Sequence, residues 1–380
     1  MSTVQTPSIV LRSGNQMVAE GALRAGCRFF AGYPITPATG IFKAMIDALP
    51  SLKGLALSAP DEISAIAYCI GAAMRGYKSM TATSGPGWAL MIESVQYALM
   101  TETPLVVALV QRLGPSTGGA TQGAQGDVLL AEYATSGGYT IPMLCPADAQ
   151  ECATLTHKAF EWAERLRTPV ILLSDKETGM TIESVDMNDL PSEPATPTFA
   201  IPATADLTKG TYWFDQVTDI PAFAPVGGDD RVIATGSAHD KKGKLQKNSS
   251  ETLDVLRHLE EKIRWRAGEL ELVDHDPDPR ADTLIVSYGI TSRAARTAVA
   301  AARARGLRVA YLGVKSLFPV PADSLERAFA NVDRIIVAEE NMNGLYRSVL
   351  ERFAGGRSLI GVNSIGAMIT PTDILAAIQR

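Results

Sequence analysis

Between residues 14 and 174 short β-type runs alternate with helical periodicity, and this alternation restricts the chain to a parallel α/β sheet. Arg28–Gly32, Leu55–Ser58, Ser79–Thr83, Leu105–Gln111, Thr140–Leu144 and Pro169–Ser174 read as strands. Met17–Ala25, Ala38–Leu49, Asp61–Arg75, Trp88–Met100 and Ala147–Arg165 read as the helices between them. Several strands are apolar nearly throughout, as a sheet covered on both faces requires.

From about 183 to 280 the texture changes. Pro191, Pro194, Pro197, Pro202, Pro221 and Pro225, with a basic patch over Lys241–Lys247, predict an extended excursion and linker, broken by one helix over Glu251–Ala267. The alternation then resumes, with strands at Thr283–Tyr288, Arg308–Val314, Arg334–Ala338 and Ser358–Val362 and helices over 291–305, 321–330, 344–353 and 371–379. The expected organisation is therefore 1–182, 183–280 and 281–380, the last a smaller α/β domain.

Charge and composition narrow the function. A net charge of −6 with no dense Lys/Arg cluster makes nucleic acid a poor partner. Ala65–Met74 and Leu105–Val110, the longest uncharged apolar stretches, fall short of the ~20 residues that span a bilayer. The first eight residues show no basic segment followed by an apolar one, so no membrane attachment and a cytoplasmic location are expected. Cys27, Cys69, Cys145 and Cys152 lack C-x-x-C spacing, which argues against zinc, an iron–sulfur cluster or disulfides and for buried small hydrophobes; no metal site is expected. Apolar residues at 46% against charged residues at 20% predict that much surface is buried in cores or against partner chains, and an oligomer is expected.

Candidate chemistry collects at predicted strand ends, where ligands sit in open parallel sheets. In Gly32-Tyr33-Pro34-Ile35-Thr36-Pro37 two prolines stiffen the turn, Pro37 suits a first helical turn, and the Thr36 hydroxyl lies beside helix N–H groups that can receive a carboxylate; an ordinary strand-to-helix turn accounts for it equally. Asp61 can cap the following helix with Glu62 complementing its dipole. Alternatively, Glu62 in that apolar setting shares a proton with a heterocyclic nitrogen. Ser84-Gly85-Pro86-Gly87 permits close approach of a ligand, but without Gly-x-Gly-x-x-Gly or Gly-Lys-Ser/Thr it is no nucleotide-phosphate cradle. Arg112, followed by a loop with Ser116 and Thr117, is either a carboxylate clamp or a surface ion pair beside a mobile loop. Lys315–Pro321 and Glu339–Gly344, with Asn341 and Asn343, end strands in the last region and also read as plain connecting loops.

Taken together, Gly32–Pro37, Asp61-Glu62, Thr81–Gly87, Gln111–Gly118, Lys315–Pro321 and Glu339–Asn341 resemble the α subunit of 2-oxoacid:ferredoxin oxidoreductases, thiamine-diphosphate enzymes, over most of the chain. The resemblance implies an α/β fold in which a parallel-sheet thiamine pyrimidine-binding domain precedes a smaller transketolase C-terminal-like domain. It implies that Glu62 is catalytic and holds N1′ of the aminopyrimidine, with Pro34 and Gly85 beside the cofactor. Thr36, Arg112, Tyr33, Ser116 and Thr117 match substrate contacts, and Asn341 and Asn343 match contacts to coenzyme A or a subunit interface. No Gly-Asp-Gly with a downstream Asn and no cluster cysteines occur. The resemblance therefore implies a partner β subunit carrying the diphosphate, Mg²⁺ and [4Fe–4S] sites, with this chain inactive alone. It also implies a hetero-oligomer of α–β pairs, a separate γ subunit if one is present, ferredoxin as electron acceptor and coenzyme A as co-substrate.

The segment Gln111–Gly118 is nearest the 2-oxoglutarate branch, but Ala120–Gln125 departs from that branch's Pro-Thr-Lys-x-Glu-Gln. A branched or aromatic 2-oxo acid stays open, as do a lipoamide-linked thiamine dehydrogenase component and a noncatalytic scaffold.

Overall fold

The computed structural model describes residues 8–192 and 207–380; Pro194, Pro197 and Pro202 lie outside the described residues, as does most of the N-terminal stretch. In chain order the first half contains β1 (Ile9–Ser13), α1 (Gly14–Arg24), β2 (Phe29–Gly32), α2 (Thr39–Ala48), β3 (Leu55–Ser58), α3 (Glu62–Met74), β4 (Ser79–Thr83) and α4 (Gly85–Met100). It continues through β5 (Leu105–Gln111), α5 (Val128–Glu132), β6 (Met143–Leu144), α6 (Ala149–Leu166), β7 (Pro169–Asp175), α7 (Lys176–Met180) and β8 (Ile182–Asp186). The rest comprises α8 (Ser250–Arg264), β9 (Val273–Asp276), β10 (Thr283–Ser287), α9 (Thr291–Ala304), β11 (Val309–Val314), β12 (Ser316–Phe318), α10 (Ala322–Phe329), β13 (Arg334–Glu339), α11 (Leu345–Leu350), β14 (Ser358–Asn363) and α12 (Pro371–Ile378).

A seven-stranded sheet runs in the order β12-β6-β7-β5-β4-β2-β3, parallel except at β12. Its central strands β5 and β7 are buried at every residue, which is why their sequences are continuous apolar runs rather than alternations. Met17, Ile41 and Phe160 from α1, α2 and α6 fill one face. Ile66, Trp88 and Met91 from α3 and α4 fill the other, in a cluster continuous with Leu284, Val337 and Phe318 of the later residues. A five-stranded sheet, β14-β13-β10-β11-β9, is parallel apart from its edge strand β9.

Three readings need correction. Lys315–Pro321 is not a plain loop: β12 pairs antiparallel with β6, so a strand from the later half completes the edge of the first sheet. The strand expected over Thr140–Leu144 shrinks to Met143–Leu144, because the Thr140 N–H and hydroxyl are taken by Glu260 of α8 at 2.8 and 3.1 Å. The excursion is docked, not a free linker. Arg167 is buried and donates to the carbonyls of Thr211, Pro221 and Ala222, while Lys262 of α8 donates to Glu102 at 2.7 Å and to the Arg167 carbonyl at 2.9 Å. All four cysteines are buried free thiols. Among the described residues no helix is long and apolar enough to cross a membrane.

Candidate active site

The carboxyl ends of β2, β4 and β5 adjoin in the first sheet, and α3 starts beside them after β3. Asp61 caps α3 by accepting the Ser64 N–H at 2.7 Å. Glu62 is thereby released from the capping role: it is 7% exposed, and among the described residues no group of the protein donates a hydrogen bond to it. Its position depends on Gly87. A Cβ there would lie 2.6 Å from Glu62 Oε1 and press on Thr83 Oγ1. Gly85 is bare for a parallel reason, since a Cβ would lie 2.7 Å from Asp127 Oδ1. Helix α4 begins at Gly85, earlier than the expected Trp88, with Pro86 in its first turn. Ser84 is its N-cap residue, yet the hydroxyl caps nothing. The opening turn of α4 is thus laid between two carboxyls.

Arg112, 7% exposed, follows β5 directly. One terminal nitrogen donates to the Thr36 carbonyl at 2.5 Å and the other to the Thr117 carbonyl at 3.1 Å, while Nε is buried without a partner. The guanidinium is therefore anchored by two backbone carbonyls, and its Nε is left without a protein partner. The Thr36 carbonyl is thus taken up by Arg112. One detail differs from expectation: Pro37 lies ahead of Ala38, the N-cap residue of α2, so it is not in the first turn of that helix. Leu113 and Gly119 bridge the ends of the loop that holds Ser116 and Thr117.

Arg112 opens into a cavity of about 400 Å³ shared with Gly85, Ser116, Asp127, Asn341 and Asn343. Its far wall comes from the residues after β13. Gln125 secures that wall: its N–H donates to the Glu340 carbonyl at 2.7 Å, and its side chain meets the Glu340 N–H and the Tyr288 carbonyl, each at 3.0 Å. Asn341 is spent on the same seam. Its amide donates to Gln125 O at 3.0 Å and to Glu339 at 2.6 Å, and its oxygen accepts from Gly344 and Leu345. Asn343 stays exposed at the rim. Glu62 does not line this cavity but lies beyond Gly87. Tyr33 and Pro34 are exposed outside it. Thr36 lines a second cavity of about 490 Å³ with Asn15 and Lys43.

Among the buried polar atoms without partners, Ser84 Oγ, Gln111 Nε2, Arg112 Nε and Asp127 Oδ2 belong to residues at or after the carboxyl ends of β4 and β5; others, such as Gln150 Nε2 and Thr168 Oγ1, lie elsewhere in the fold. Native interiors leave few such groups, so those that border the cavity are available to a polar ligand. Asp127, Gln111 and Gln125 escape a reading of the sequence. An acid before a short helix reads as an N-cap, but the Asp127 side chain caps nothing. Burial pushes its carboxyl up to about 6, with the charge of Arg112 opposing. Among the described residues no group of three His, Cys, Asp or Glu side chains forms a metal site.

Residues 20–244 match the family described as pyruvate flavodoxin/ferredoxin oxidoreductase, thiamine diphosphate-binding, and residues 281–370 match pyruvate:ferredoxin oxidoreductase core domain II. The chain is 38% identical to the 2-oxoglutarate synthase subunit KorA of Methanothermobacter marburgensis over 96% of its own length and 97% of that protein. It is 30% identical to the ketoisovalerate oxidoreductase subunit VorB of Methanothermobacter thermautotrophicus, over 97% and 96%. Among solved structures it superposes, with a TM-score of 0.90 and 29% identity, on a 2-oxoglutarate:ferredoxin oxidoreductase from Magnetococcus marinus with 2-oxoglutarate, coenzyme A and succinyl-CoA bound. That match covers 100% of this chain and 66% of the solved one. With the parallel sheets and the arrangement at the ends of β4 and β5, these matches mean that the chain belongs to the pyruvate flavodoxin/ferredoxin oxidoreductase family.

Proposed function

We propose that the chain is the α subunit of a 2-oxoglutarate:ferredoxin oxidoreductase, which decarboxylates its substrate oxidatively and passes the acyl group to coenzyme A. The observation that carries this reading is Arg112. Its outer nitrogens are held by the Thr36 and Thr117 carbonyls, its Nε has no protein partner, and the residue lines a 400 Å³ cavity. A guanidinium so held can grip both oxygens of a carboxylate through Nε and the remaining terminal hydrogen. Relatives named for 2-oxoglutarate support the choice of acid. A branched 2-oxo acid is the second reading, favoured by residues 119–126, which offer no Lys or Arg to a distal carboxylate.

Thiamine diphosphate fits the residues present. Glu62 is a buried carboxyl without a protein partner, and such an acceptor is what a heterocyclic N–H requires. When bound, the cofactor supplies the nucleophilic carbon and the electron sink that decarboxylation needs. Glu62 would share the ring proton at N1′, Gly87 leaves room for its carboxyl, and Arg112 would orient the substrate. Mg²⁺, the diphosphate ligands and a [4Fe–4S] cluster belong, on this reading, to a β subunit. Ile63 and Tyr68 of α3 and Leu90 of α4 are exposed apolar residues on the two helices that flank Glu62 and are available for that subunit to cover. Ferredoxin takes the electrons, and a γ subunit, if present, is a separate chain. The same reading divides the chain at 182 and 280, with β12 returned to the first sheet. The test is to co-express the chain with its β subunit and assay a panel of 2-oxo acids with coenzyme A and a low-potential dye. Preference for 2-oxoglutarate is the expected result. Turnover dependent on lipoamide, or none, would sink the proposal.

A further inference from the structure

We propose that Asp127 is a second anchor for the substrate, binding the carboxylate end of the 2-oxo acid as a neutral acid that donates a hydrogen bond, so that binding takes up one proton. The inference rests on the reading of Arg112 as the carboxylate clamp. Asp127 shares the 400 Å³ cavity with Arg112, yet the ion pairs among the described residues do not join the two. Each keeps one buried polar atom unpartnered, Nε on the arginine and Oδ2 on the aspartate. The Asp127 carboxyl is not placed there by its backbone. Its N–H is satisfied by Gln111 Oε1 at 3.0 Å and its carbonyl by the Ala131 N–H at 2.8 Å, while the side chain is left over. That side chain rests on Gly85, where any Cβ would expel it.

The charge balance follows from this placement. A carboxylate arriving at Arg112 brings a negative charge into the cavity and draws on the one cation that favours ionised Asp127. A second ionised carboxyl in the same enclosed space is repelled, whereas a protonated one gives a hydrogen bond to the incoming oxygen. The proton comes from solvent and stays on the Asp127 carboxyl. Other titratable groups surround Asp127 at more distance. Glu340 lines the far wall, Glu62 lies beyond Gly87, and Glu132 at the far end of α5 answers to Arg352. All three are acids, so none supplies a replacement countercharge. Burial already lifts the Asp127 carboxyl to about 6, which makes the proton available near neutrality.

The experiment uses the assembled complex with 2-oxoglutarate. KM is expected to rise about tenfold per pH unit above pH ~6, because the protonated fraction falls by that factor. Calorimetry in two buffers of different ionisation enthalpy should report uptake of one proton on binding, without any variant. Asp127→Asn keeps a donor but cannot titrate and should flatten the KM profile, whereas Asp127→Ala should raise KM at every pH. Absence of proton uptake in the wild-type complex, or a wild-type slope retained by Asp127→Asn, overturns the proposal. Arg112→Gln separates the two layers. If it raises KM while Asp127→Asn leaves the slope unchanged, only the role of Asp127 fails; if it leaves KM unchanged, the clamp and the anchor fail together.

Discussion

Because Asp61 caps α3, the carboxyl of Glu62 is free to meet a ligand, and an amide in its place separates two functions. Glu62→Gln can still hydrogen-bond a ring nitrogen but cannot share its proton. Turnover of the assembled complex should fall by about 10²–10⁴-fold, with subunit association by gel filtration unchanged. Arg112→Lys should raise KM by a similar factor for every 2-oxo acid tested, since the carboxylate is common to all and an ammonium cannot grip both oxygens. Substrate-by-substrate kinetics check this, and a reordering of preferences would assign Arg112 to the distal group. These two residues were legible in the sequence because each follows a strand and has an evident chemistry. Asp127 was not, since nothing in Gly126-Asp127-Val128 distinguishes a helix cap from a side chain folded back onto Gly85.

Helix α8 shows how an element's role can hide while its existence is plain. Its periodicity predicts a helix over Glu251–Ala267, and it spans Ser250–Arg264. What periodicity does not reveal is that His258 and Lys262 both reach Glu102, more than 150 residues earlier, at 3.1 and 2.7 Å. Burial alone would raise the Glu102 carboxyl, but the charges of Lys262, His258 and Arg167 hold it well below its usual 4.5. A value lowered by folding means that this contribution is complete above that range and is lost as the pH falls through it. Lys262→Met should destabilise the chain by about 3–5 kcal/mol at pH 7, and by less in acid. Thermal melts of both proteins at pH 7 and pH 4 would show the gap narrowing. The central strands were legible because burial on both faces writes itself as an apolar run. β1, β8, β9 and β12 were not, being short, at edges or half exposed, with pairings set by distant residues.

At the scale of the whole molecule, α3 leaves Ile63 and Tyr68 exposed, and the chain has no diphosphate motif. The isolated chain should therefore bind thiamine diphosphate weakly, and calorimetry with and without Mg²⁺ would detect the tight, metal-dependent binding that contradicts this. The matches over residues 20–244 and 281–370 invite treatment of the chain as two cassettes. The pairing of β12 with β6 forbids it, because Leu317 and Phe318 are buried within the core shared by both sheets. Hybrids built from two relatives and joined near residue 281 would set the β6 of one parent against the β12 of the other, or leave a raw sheet edge to seek neighbours. A crossover point placed after Pro319 reunites β6 with β12 but parts β10 from β13 in the second sheet, so neither junction leaves every inherited strand with its own partner, and recombination within this family is constrained by strand pairing rather than by the boundary between its two matched regions.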